Sequence, residues 1–150
     1  MKKIMLGLFL ILGAMSFAAP KFVNMTKVKN AGYVIKNERE DILTMATSDD
    51  DSAIIISFST INMSSKEISD LLKSNALRNS ENFIATLDNN RAYINEFEAQ
   101  GFYSYMIVPK KEKVKNQHTY ATYVSSKKLS KNDLSKITNA ILDEAESYIK

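Results

Sequence analysis

The stretch "GYVIKNEREDILTMATSDDDSAIIISFST", Gly32 to Thr60, decides the fold. "GYVIKNE", "DILTMATS" and "SAIIISFST" are short, alternate in polarity, are rich in β-branched and aromatic residues, and are bounded by polar clusters. They read as three consecutive strands, with "SDDDS", Ser48 to Ser52, as the turn between the second and third. Ile54, Ile56 and Phe58 face one side of the third strand, and Ala53 and Ile55 put apolar bulk on the other. The third strand is therefore expected to be covered on both faces and to lie at the centre of its sheet.

The next segment, "NMSSKEISDLLKSNAL", changes period. Ser64 with Glu67 three residues on forms a capping box, and Met63 with Ile68 is placed as its hydrophobic staple. Ile68, Leu71, Leu72, Asn75 and Ala76 then fall on one helical face. The pattern fades at "RNSEN", where Asn and Ser side chains offer the backbone competing local hydrogen bonds. In "NFIATLDNNRAYINEFEA", Phe83, Ile84 and Leu87 are compatible with a helix opened at Ser80. Turn-forming Asp88, Asn89 and Asn90 between alternating flanks favour a hairpin. "GFYSYMIV" and "QHTYATYVS" read as two further strands, and Ser130 with Asp133 opens a helix repeating at Leu134, Ile137, Ile141, Ala145 and Tyr148.

The resulting order, β-β-β-α-β-β-β-β-α, predicts an α+β domain with a mainly antiparallel sheet packed by two helices. No internal repeat or linker divides residues 32–150, and residues 19–31 are expected to form an N-terminal arm or first edge element. The chain ahead of them, "MKKIMLGLFLILGAMSFA", has a basic start, an apolar run from Ile4 to Met15, and small residues at Ser16 and Ala18. This is the pattern of a secretory signal peptide over residues 1–18. Twelve apolar residues fall short of the roughly 20 needed to span a bilayer. The expected location is the periplasm or the extracellular space of a bacterium.

This leading meander, capped helix, second meander "NNRAYINEFEAQGFYSYMIVPKKEKVKNQHTYATYV" and closing helix "NDLSKITNAILDEAES" resemble the layout of PsbP-like lumenal proteins and periplasmic DcrB-like proteins. The resemblance rests on element order over most of the chain, with no diagnostic short motif. It implies an antiparallel sheet with helices on both faces and a non-enzymatic accessory role in the cell envelope. It carries over no functional residues.

Composition excludes several chemistries. There is no cysteine and one histidine, His118, so neither a thiolate metal site nor a disulfide framework is available. Four glycines, two of them inside the leader, leave no phosphate-cradling loop. No cofactor is called for. "SDDDS" lacks the alternating oxygen ligands, glycine and distal glutamate of a calcium loop. Glu96 and Glu98 share a strand face, the minimum for a carboxylate pair. A secreted hydrolase using Glu96, Glu98 or Asp49 to Asp51 is thus one alternative, and a homo-oligomeric envelope protein joined through an apolar sheet edge is another.

Charge is segregated. Without Lys2 and Lys3 the balance is 18 basic against 17 acidic side chains, close to neutral. Residues 36–98 carry six basic and twelve acidic groups, whereas residues 101–136 carry eight lysines against Glu112 and Asp133. Such asymmetry either steers a partner or reflects two halves that face each other. Nucleic acid is an unsuitable partner for an exported, nearly neutral chain with three arginines. The lysine-rich connection "KKEKVKNQ" after Pro109, beside strand tyrosines, reads either as a wet hairpin tip between strands packed as core on both faces, or as a partner surface made of Tyr103, Tyr105, Lys110, Lys111, Lys113, Lys115 and Tyr120. An envelope protein, an anionic lipid or a glycan would suit it.

Overall fold

The computed structural model describes residues 18–150, so the expected leader, apart from its last residue, lies outside the described residues. Seven strands form one sheet: β1 Val34–Arg39, β2 Ile42–Ser48, β3 Ser52–Thr60, β4 Asn82–Asp88, β5 Ala92–Ala99, β6 Phe102–Pro109 and β7 Gln117–Ser125. Every neighbouring pair is antiparallel, in the order β1-β2-β3-β7-β6-β5-β4. The α+β class and the order of strands and main helices follow the sequence pattern.

The tight turns have identifiable causes. Between β5 and β6, Gln100 and Gly101 both adopt the left-handed region, at φ 53° and 83°. That geometry matches the twist of the flanking strands, and glycine meets it without a Cβ penalty. Between β2 and β3, Asp49 Oδ1 accepts from the Asp51 and Ser52 amides at 2.9 and 2.6 Å, closing the turn with a side chain.

Two helices cover the two faces. Helix α2, Ser65–Arg78, carries the chain from β3 to the far edge at β4 and packs on β5 and β6. Its capping box is complete: Ser64 Oγ accepts from Glu67 N–H at 3.2 Å, and Glu67 Oε2 accepts from Ser64 N–H at 2.7 Å. Helix α3, Lys131–Ser147, lies on the other face. Its Leu134, Ile141, Leu142 and Ala145 join Leu43, Met45, Ile56, Phe58, Ile94 and Ile107 of the sheet in the main core. Each fully buried Leu, Ile or Phe here contributes roughly 1.5–3 kcal/mol.

Two expectations change. Residues 19–31 are not an edge strand, because they contain a six-residue helix, α1, Met25–Asn30, capped by Asn24 and anchored by buried Val28. Val23 pairs with Ile149, which ties this segment to the chain's C-terminal residues. The middle of the sheet belongs to β7, not β3. The second meander begins at the far edge and works back, so its last strand closes against β3.

Candidate binding surface

The connection from β6 to β7, residues 110–116, is braced from both ends. The Lys110 amide donates to Arg91 O at 2.8 Å, and the Ile61 amide donates to Asn116 O at 2.9 Å. Inside the loop, Glu112 Oε2 accepts from the Asn116 amide at 2.7 Å, and Gln117 N–H donates to Val114 O at 3.0 Å. Asn116 sits at φ 66°, a left-handed conformation that asparagine tolerates better than most residues. The lysine-rich segment therefore has a defined shape.

The four lysines divide into two pairs. Lys110 Nζ contacts Asp88 Oδ1 at 2.6 Å, and this hydrogen bond holds the Asp88 carboxyl below its ordinary range. Lys113 Nζ lies 3.2 Å from Glu146 Oε2. Lys111 and Lys115 form no ion pair among the described residues, and Val114 between them in sequence is 52% exposed. Part of the charge asymmetry is thus internal, because Lys110–Asp88 and Lys128–Glu96 each join the acidic and basic segments.

The tyrosines do not belong to this surface. Tyr105 is fully buried against α3, and its hydroxyl accepts from the Leu129 amide at 2.8 Å. Burial raises its phenol pKa. Tyr103 packs beside the same core at the other end of β6, about 20 Å along the strand from Pro109. Tyr120, cross-strand from Ser57, lies on the opposite face of the sheet. Alternation correctly places Tyr103, Tyr105 and Ile107 on one face, but that face is the inner one.

The groups considered for hydrolysis have structural partners. Asp49 is held below its ordinary pKa chiefly by the Asp51 and Ser52 amides. Glu98 accepts from the Gly101 amide at 3.3 Å. Glu96 is 3% exposed, with Lys128 Nζ 3.7 Å from Oε1, an oxygen that has no hydrogen-bond partner. His118, also 3% exposed, has Nε2 at 3.3 Å from Glu112 Oε2 but out of line for a hydrogen bond. His118, Glu112 and Ser65 line a cavity of about 40 Å³, far below the few hundred Å³ of a small-molecule site. A wide groove between α3 and the β4–β5 turn is lined by Asn89, Arg91, Lys131, Ser135 and Asn139, and does not include Glu96, Glu98 or Asp49 to Asp51. Among the described residues no three His, Asp or Glu side chains are grouped to hold a metal ion.

Sequence reading missed a second exposed feature, the β4 edge. Phe83 and Ile84 are 36% and 37% exposed, and Leu77 near the end of α2 is 50% exposed. Phe83 stacks edge-on against Phe97, with a ring separation of 5.5 Å, and Lys73 Nζ lies 3.7 Å from its ring centroid. The available signal was the absence of charge from residues 82–87, which becomes informative once this strand is known to be an edge.

No family model, no curated protein and no solved structure matches the chain. Among the described residues, no helix is long and apolar enough to cross a membrane.

Proposed function

We propose that this chain is an exported envelope protein that works by binding, presenting the β6–β7 loop to an acidic surface on a larger envelope assembly. One observation carries the reading: the loop is held in shape by Glu112, Asn116 and two ion-paired lysines, while Lys111 and Lys115 form no ion pair among the described residues and Val114 is exposed. A pre-shaped loop loses less conformational entropy on binding than a mobile one. An exposed apolar side chain in a loop whose Lys111 and Lys115 have no ion pair among the described residues suits an acidic rim around a shallow apolar contact. The leader pattern at residues 1–18 and the element order resembling periplasmic DcrB-like proteins support the envelope assignment.

The test places a photo-crosslinking side chain at Val114 in cells and compares it with the same protein carrying Lys111→Glu and Lys115→Glu. A discrete adduct that disappears on charge reversal, with an unchanged melting temperature, is the expected result. No adduct, or an equal one from both forms, would return the loop to a solvated turn. Flotation with anionic vesicles in place of a protein adduct would assign the surface to lipid.

A further inference from the structure

We propose that His118 makes the β6–β7 loop sensitive to pH, its protonation drawing in Glu112 and fastening the loop to β7; this rests on the loop being the binding surface. His118 is 3% exposed and lines a cavity of about 40 Å³ together with loop residues Lys111 to Val114. Its Nε2 has no hydrogen-bond partner, and Glu112 Oε2 stands 3.3 Å away, out of line. That same oxygen accepts from the Asn116 amide at 2.7 Å. A single carboxylate atom therefore stands between the buried ring and the brace of the loop.

Few charged groups surround this ring. The loop brings Lys111, Glu112 and Lys113 to the cavity, and α3 brings Glu146, already engaged by Lys113 and Arg91. From α2 comes only Ser65, and β3 sets Ser59 opposite His118. Histidine is the side chain whose ordinary pKa, about 6.5, falls between about pH 5 and 8, a range in which carboxylates are ionised. A buried imidazolium needs an acceptor. Glu112 is the carboxylate left to supply one, and the cavity gives its 31% exposed side chain room to turn into line. The charge-assisted hydrogen bond so formed ties the loop to β7, with a second lone pair kept for Asn116. Two effects then share one sign. A doubly anchored loop loses less entropy on binding, and neutralising Glu112 removes charge that opposes the loop's lysines. An acidic partner is held more tightly as pH falls through the titration of His118.

NMR across about pH 5 to 8 tests the switch with no partner present. The His118 ring proton Hε1 and the Asn116 amide should shift with a common midpoint. The Asn116 response should be largely lost in Glu112→Gln, which removes the charge and keeps the shape, and absent in His118→Asn. A His118 ring that does not titrate in this range overturns the proposal, as does an Asn116 amide that ignores the titration or follows it equally in Glu112→Gln. Glu112→Gln alone decides the matter if His118→Asn does not fold. The Val114 adduct should form about threefold more at the acid end than at the alkaline end, and equally at both in Glu112→Gln. Equal adduct from the native protein at both ends also overturns the proposal. No adduct at any pH would sink the loop reading instead, a result the partner-free titration keeps separate.

Discussion

Tyr33 and Tyr148 deliver their hydroxyls to the same atom, Glu144 Oε1, at 2.9 and 2.8 Å, with their rings edge to face 6.3 Å apart. The residue just before β1 is thereby tied to the end of α3. Burial, reinforced by the Glu144 hydrogen bond and charge, raises both phenols, that of Tyr148 to about 12. A raised phenol favours the protonated folded state. Its contribution is complete below the ordinary tyrosine pKa of about 10 and is lost as pH rises through the folded value. Stability should therefore fall between about pH 10 and 12. Glu144→Gln should bring tyrosinate absorbance in at lower pH and cost about 1–2 kcal/mol near neutrality.

Asn95 is 2% exposed and satisfied from both sides of its amide. Nδ2 donates to Ser69 Oγ at 3.0 Å, and Oδ1 accepts from Thr86 Oγ1 at 2.9 Å. Asn95→Ala strands a buried hydroxyl on α2 and opens a small void, so urea unfolding should show a loss of about 2–3 kcal/mol. Adding Ser69→Ala should recover part of that loss, because the orphaned hydroxyl goes with it.

Glu96 gives the opposite expectation. A buried carboxylate with one oxygen unpartnered and its cation 3.7 Å away is poorly compensated for desolvation. Glu96→Gln should leave stability within about 1 kcal/mol of the native protein or raise it. Lys128→Ala should lower it, because the charge then stays buried without its cation. Chemical denaturation of the two variants distinguishes them by sign.

Asp49, Glu67 and Asp88 all have lowered carboxyl pKa values, held chiefly by the Asp51 amide, the Ser64 amide and Lys110 respectively. Depressed carboxyl pKa values stabilise the fold above the unfolded value, and that contribution disappears as pH falls through the folded one. Melting temperature should accordingly decline below about pH 4. Asp49→Asn should flatten this acid limb while lowering stability at neutral pH, since a neutral amide accepts less strongly from the two turn amides.

Much of the fold was legible because its signals are local. Ser64 and Glu67 specify a helix start within four residues, and Asp88 to Asn90 separate two alternating runs whatever surrounds them. Helix α1 was not legible, since six residues are too few to display a helical period. The central place of β7 depends on where α2 deposits the chain, a non-local choice. Tyr105 was left open for the same reason, between a two-sided core and a partner surface. Period-two alternation shows which residues share a side, but the position of α3 decides which side becomes the interior. Glu112 and Asn116 could be seen as polar loop residues, while their role in bracing the loop required the coordinates.

The pairing of β3 with β7 has a kinetic consequence. β1, β2 and β3 are joined by short turns, as are β4, β5 and β6, so each set finds its partners among near neighbours. Ser52 must instead find Ser125, and Thr60 must find Gln117. Closing such a loop costs entropy before any contact is gained, which places this seam in the slow step of folding. Until β7 arrives, Ile54, Ile56 and Phe58 sit on a strand with an open flank. The interval between synthesis of β3 and docking of β7 is therefore when this chain is most exposed to misassembly.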